Sequence, residues 1–215
     1  MEIRAGYHKR LREIQDDILV MGSMSEKAIL QSVQALKDRD LTEAKRIIAD
    51  DRKINQKRFE IEEKCIQLIA TQQPMAGDLR TIVCALYIIT ELERIGDYAE
   101  GIAKIVLMIG DEPPLKPLID IPRMADKTTA MLRRSMGAFI NRDADGAKKI
   151  AAEDDDVDSL YDQVFRELLT FMMEDPRTIT RATRLIWVAH NLERAADRVT
   201  NICERVVFSV TGKME

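Results

Sequence analysis

Seven apolar residues, Ala85, Ile88, Leu92, Ile95, Ala99, Ile102 and Val106, advance in steps of 3-4-3-4-3-4. One hundred positions later Leu185, Val188, Leu192, Ala195, Val199, Ile202 and Val206 repeat the same steps. A heptad-like stripe held in register commits a stretch to a long amphipathic helix packed through one face, and a stripe that recurs marks a duplicated chain. The preceding segment agrees, because Arg39-Asp40 and Ala44-Lys45 return as Arg142-Asp143 and Ala147-Lys148 at an offset of 103. Hydrophobic residues make up 46% of the 215, yet only 5% are aromatic and only nine Gly and six Pro punctuate the chain. So few turn-formers favour long helices over a β fold, and the chain reads as all-α.

Pro113, Pro114 and Pro117 fall within five residues and cannot continue a helix. They divide the chain into expected units at 1–110 and 120–215, joined by a linker at 111–119. Helices are expected near 3–38, 40–72 and 75–110, then near 120–141, 143–173 and 177–210. Short breaks between them force neighbours to run antiparallel, giving two separable three-helix bundles.

The formal net charge of -4 opposes the basic surface that nucleic-acid binding needs. No apolar run approaches the roughly 20 residues of a membrane span, and Met1-Glu2-Ile3-Arg4 leads into an amphipathic pattern without a signal-peptide core. A cytoplasmic location is the expectation. Cys65, Cys84 and Cys203 are odd in number, lack Cys-x-x-Cys spacing and sit in apolar helical patterns, as reduced core thiols do.

The chemistry lies in a phrase said twice, Leu92-Glu93-Arg94-Ile95-Gly96-Asp97 and Leu192-Glu193-Arg194-Ala195-Ala196-Asp197. Glu93 and Asp97 stand about 40° apart around a helix, with Glu100 between them in angle one turn on. Glu193 and Asp197 repeat the pair, with Thr200 in place of Glu100 and Glu204 near the same line. The offset of 103 superposes Asp51 and Asn55 on Asp154 and Asp158, a second oxygen-bearing pair at i, i+4. Like charges at that spacing repel, and a hard cation would offset the repulsion. With a third of the chain charged, one such stripe alone would read as a solvated face; its repetition is what points to a site. Glu93 and Asp97 lie roughly opposite the seam of their helix, so a metal would sit in a surface groove. Arg94 and Arg194 read as surface ion-pair partners of these acids or as phosphate contacts, and His190 as a structural histidine or an extra ligand. Neither histidine completes the Glu-x-x-His pattern of di-iron bundles, since Ala5 and Trp187 stand three residues before them. No phosphate loop, Ser elbow or Cys/His nucleophile pair appears.

The segments Gln72-Gln73-Pro74-Met75-Ala76-Gly77-Asp78-Leu79-Arg80, Leu92 to Asp97, Asn191 to Asp197 and Val210-Thr211-Gly212, in this order, resemble the PhoU family of phosphate-signalling regulators over essentially the whole chain. The resemblance implies two tandem, internally duplicated three-helix bundles of a spectrin-repeat-like kind. It implies that Glu93, Asp97, Glu193 and Asp197 bind divalent or multinuclear metal (iron, zinc, manganese or magnesium), with Asp51, Asn55, Asp154, Asp158 and Glu100 as further ligands. Asn55 departs from the acidic pattern and weakens the first site. The resemblance further implies a homodimeric, non-catalytic adaptor that links the ATPase subunit of the phosphate ABC transporter to the sensor histidine kinase of the phosphate two-component system. Such an adaptor holds the phosphate-starvation response off and meets the inner membrane only through its partners. A regulator of a sodium-phosphate or potassium system would carry the same motifs, and a carboxylate-metal hydrolase would need an open metal position.

Overall fold

A computed structural model describes residues 2–213; Met1 and residues 214–215, which include the outermost bounds of the two expected units, lie outside the described residues. The chain runs through α1 (Glu2–Asp38), α2 (Leu41–Gln72), α3 (Ala76–Ile109), α4 (Asp120–Asn141), α5 (Ala144–Ala151), α6 (Asp154–Glu174), a 3₁₀ turn (Pro176–Thr178) and α7 (Ile179–Thr211). No strand occurs among the described residues.

The helix ends follow local chemistry. Asp40 caps α2, its carboxylate accepting from the backbone N–H of Thr42 at 3.0 Å and Glu43 at 2.9 Å, and Asp143 caps α5 through the N–H of Gly146 at 2.8 Å. Arg39 and Arg142, repeat equivalents, both take the left-handed conformation that closes the preceding helix. Gln73 does the same ahead of Pro74, which bars α2 from continuing.

One expectation fails. The helix expected over 143–173 is broken at Ala152 and Glu153 into α5 and α6, whereas its counterpart α2 is continuous. Four successive acids, Glu153 to Asp156, explain the break. Asp is a poor helix-interior residue, and a new N-terminus places Asp154, Asp155 and Asp156 in a first turn where the helix dipole favours negative charge.

Helices α1, α2 and α3 pack on one another, and α7 gathers α4, α5 and α6. The two sets are then joined by α3 against α7 and by α1 against α4, so that α1, α3, α7 and α4 form a central ring flanked by α2 on one side and α5–α6 on the other. α3 and α7 run antiparallel, because contacts climb one helix as they descend the other. Gly212 sits at Arg80, Arg205 lies over the Tyr87 ring at 3.8 Å, Asn201 donates to Glu91, and Asn191 abuts Gly101. A Cβ at Gly101 would stand 3.0 Å from Asn191 Oδ1, so the missing side chain sets how closely the two helices approach.

All fourteen seam residues are buried, as their spacing predicts. The buried apolar side chains form a single cluster that runs through both sets of helices. The two tandem bundles therefore pack on each other through a shared core. Residues 110–119 are also tied down, with Leu115 and Leu118 packed on that core, Arg181 donating to the Pro113 carbonyl at 3.2 Å and Lys116 paired with Glu167.

Candidate metal centre

Each acidic pair on a third helix faces the middle helix of its own half. In the first groove, between α2 and α3, Asp51 stands over Gly96: a Cβ there would lie 3.3 Å from Asp51 Oδ1 and 3.0 Å from Ile54 Cδ1. The absence of a side chain at Gly96 is what lets α2 bring its carboxylate down onto α3. Burial pushes the Asp51 carboxyl up to about 6, and the charges of Asp97, Glu100 and Glu93 add to the rise against a hydrogen bond donated by Asn55 at 2.8 Å. Asp97 is raised as well, chiefly by burial. Asp51 Oδ1 and Asn55 Oδ1 are buried without a hydrogen-bond partner. Cations also reach these acids: Arg58 lies 3.9 Å from Glu93, Arg94 3.6 Å from Asp97, and Lys104 donates to Glu100 at 2.6 Å.

The second groove, between α6 and α7, repeats the arrangement. Burial lifts the Asp154 carboxyl to about 6, helped by Asp158, Asp197 and Glu193, with Thr200 acting in the opposite sense. Burial likewise raises Glu193 and Asp158, and Asp197 is the next cause for both. Asp154 Oδ1, Glu193 Oε2 and Thr200 Oγ1 are buried without a hydrogen-bond partner. Arg194 donates to Asp197 at 2.5 Å and Arg94 lies 3.6 Å from Asp97, so both arginines pair with the acid three residues on. His190 Nδ1 lies 3.4 Å from Glu193 and its ring packs 6.1 Å from that of Tyr161, at the rim of the groove. Glu204 is exposed and takes no part.

The fold thus brings Asp51, Asn55, Glu93, Asp97 and Glu100 to one groove and Asp154, Asp158, Glu193 and Asp197 to the other. Oxygen-only donors, unpartnered buried oxygens and mutually raised carboxyls are the chemistry that a hard divalent cation would satisfy. The side chains are not, however, closed around a point. Among the described residues, no three His, Cys, Asp or Glu side chains are gathered closely enough to hold a metal ion. The donors fit a metal in kind, and ion binding would have to draw the acids of two helices together.

Sequence reasoning missed Glu91, which is buried at the junction of the halves. Its carboxylate accepts from Asn201 of α7 at 3.2 Å and lies 3.5 Å from the guanidinium of Arg198. The signal was present: Glu91 and Asn191 put a polar residue beside the seam in both copies.

Comparison with known proteins bears on the fold and the family. A family model described as "PhoU domain" matches twice, over residues 18–106 and 121–206. A Clostridium acetobutylicum protein named phosphate-specific transport system accessory protein PhoU homolog is 40% identical over 96% of this chain and 95% of its own length. The crystal structure of PhoU from Pseudomonas aeruginosa superposes with a TM-score of 0.91 at 35% identity, covering 96% of this chain and all of that one. That of the phosphate transport system regulatory protein PhoU from Streptococcus pneumoniae gives 0.90 at 31% identity, over 97% of this chain and 99% of that one. With a doubled helical repeat, two matching acidic grooves and relatives that align from end to end, the chain belongs to the PhoU family.

Proposed function

We propose that this protein is a non-catalytic regulatory adaptor of phosphate uptake, linking the ATPase of a phosphate ABC transporter to a sensor histidine kinase and holding the starvation response off when phosphate is plentiful. The observation that carries the reading is the full-length match to proteins named as accessory and regulatory components of phosphate transport. No helix among the described residues is long and apolar enough to cross a membrane, which suits a protein that meets a transporter through its cytoplasmic subunit.

In this reading divalent metal is a structural ligand of the two grooves. Glu93, Asp97, Asp51, Asn55 and Glu100 would hold it in the first groove, and Glu193, Asp197, Asp154 and Asp158 in the second. A bound cation neutralises mutually repelling carboxylates and so ties the middle helix of each half to the third. The unpartnered oxygens of Asp51, Asn55, Asp154 and Glu193 support it. Helical faces then dock the partners, with the homodimer as the working unit.

Deletion of the gene tests the reading. Phosphate-starvation reporters should switch on in phosphate-rich medium and be silenced again by the wild-type gene. Normal repression in the deletion strain would overturn the adaptor, and loss of potassium or sodium-coupled uptake instead would reassign it to another transporter.

A further inference from the structure

The halves also differ between their first and middle helices. Between α1 and α2 lies a cavity of about 230 Å³, floored by Ile47, Ile54 and Gly96 and bordered by Met24. It opens onto shallower grooves that also meet at Met24, so the cleft follows α1 from Leu19 to Gln31. At 1.5 Å per residue that length is about 18 Å, room for roughly three turns of a second helix. Val20 stands half exposed at its mouth.

The same place in the second half is spanned by two ion pairs. Met24 and Lys53 correspond to Lys127 and Asp156, which bridge α4 and α6 at 2.7 Å. Gln31 and Asp50 correspond to Arg134 and Glu153, a forked ion pair between α4 and the N-cap of α6. Among the described residues neither cross-helix bridge occurs in the first half, where Lys53 pairs with Asp50 along α2 at 2.7 Å. Their absence is what leaves the cavity open.

The cleft also differs in charge from the molecule as a whole. Lys27, Arg46, Arg52, Lys53 and Lys57 line it; Glu43, Asp50 and Asp17 already hold Arg46, Lys53 and Lys57, so its uncompensated positive charge is that of Lys27 and Arg52. Lys27, at the centre, has no ion-pair partner among the described residues. An apolar floor between basic rims recognises an amphipathic helix that is apolar on one side and acidic on its flanks.

We propose that the α1–α2 cleft is a docking site for an acidic amphipathic helix of a partner protein, kept in the first half by the loss of the two bridges that span the second. The proposal deepens the adaptor reading and rests on it for the source of the helix. Because Asp51 and Gly96 belong both to this cavity and to the first acidic groove, an occupant would lie directly behind the proposed metal ligands.

A designed peptide tests the cleft without any named partner, so that failure here is distinct from failure of the gene-deletion test. A fluorescein-labelled helix of about 15 residues with a leucine face and glutamate flanks is titrated by anisotropy against the full chain, beside a lysine-flanked counterpart and a scrambled control. The acidic peptide should bind at least about tenfold more tightly than either control and weaken as salt rises. Lys27→Glu, on an exposed surface, should cost about tenfold in affinity. The variant carrying Met24→Lys, Lys53→Asp, Gln31→Arg and Asp50→Glu, which imports the second half's bridges, should bind no acidic peptide. Equal binding of the controls, or undiminished binding by Lys27→Glu and the bridged variant, would overturn the proposal.

Discussion

The two acidic grooves hold the same number of carboxylates but not on the same residues. The first has Asp51, Glu93, Asp97 and Glu100, with Asn55 on the middle helix; the second has Asp154, Asp158, Glu193 and Asp197, with Thr200 on the third. One acid has moved from one helix to the other. The neighbouring cations differ more. Arg58 and Lys104, which pair with Glu93 and Glu100, are replaced in the second half by Tyr161 and Glu204. The first groove thus carries part of its own neutralisation, and the second leaves more negative charge for an ion to satisfy. Duplication has kept the total charge of a site while redistributing who bears it and how far it is already offset.

The comparison presumes that the halves answer together, and the seam tests this with the largest effect. Leu92 and Leu192 are both fully buried at equivalent points of one core. Leu92→Asp and Leu192→Asp should each destabilise by several kcal/mol, because an unpaired charge in a packed seam is a large fraction of a domain's stability. Each should also lower a single cooperative unfolding transition. Two separated transitions, one of them unmoved, would show that the bundles are separable. A smaller asymmetry is expected at the junction itself. Arg198→Ala leaves Glu91 buried without its charge partner and should cost about 3 kcal/mol in denaturant unfolding. Asn191→Ala, at the repeat-related position, should cost about 1 kcal/mol, since an uncharged bond to the Trp187 carbonyl and a contact with Gly101 are lost but no buried charge is orphaned. Equal losses would contradict the assignment of Glu91 as the buried anchor.

Much of this was legible in the residues. The 3-4 stripes foretold both third helices and every buried seam position, and the offset of 103 matched Asp51 and Asn55 to Asp154 and Asp158; that these pairs face the acids of α3 and α7 shows only in three dimensions. The break at Ala152 was hidden because Ala147, Ile150 and Val157 keep helical spacing across it, so periodicity alone reads through a boundary that clustered acids create. The shared core was hidden for a different reason. A heptad stripe shows that a helix buries one face but does not say against which partner, and α3 and α7 bury theirs partly against each other. The open α1–α2 cleft shows only once Met24 and Gln31 are set beside Lys127 and Arg134 in three dimensions.

A further effect is expected of pH on the metal-free protein. Asp51 and Asp154 both titrate near 6 in the folded state, above the ordinary 3.8. Between those values the folded protein binds more protons than the unfolded chain, so these groups make stability fall as pH rises through that window, with the loss complete above about 6. Asp51→Asn and Asp154→Asn should each relieve about 1–2 kcal/mol at neutral pH and leave stability near pH 4 almost unchanged. A variant no more stable than wild type at pH 7.5 in chelator would remove the repulsion from the account.

The most direct measurement is thermal unfolding in chelator and then with iron, zinc, manganese or magnesium, for wild type, for Glu93→Gln with Asp97→Asn, for Glu193→Gln with Asp197→Asn, and for all four changes combined. In chelator the variants should match or slightly exceed wild type, because like charges at i, i+4 have been removed. With metal at a hundredfold over its dissociation constant, wild type should gain about 2.7 kcal/mol per site. The pair at Glu193 and Asp197 should remove the larger and tighter share of that gain, and the fourfold variant should lose all of it. No metal-dependent shift in wild type, or a full shift in the fourfold variant, would reduce both grooves to solvated acidic faces.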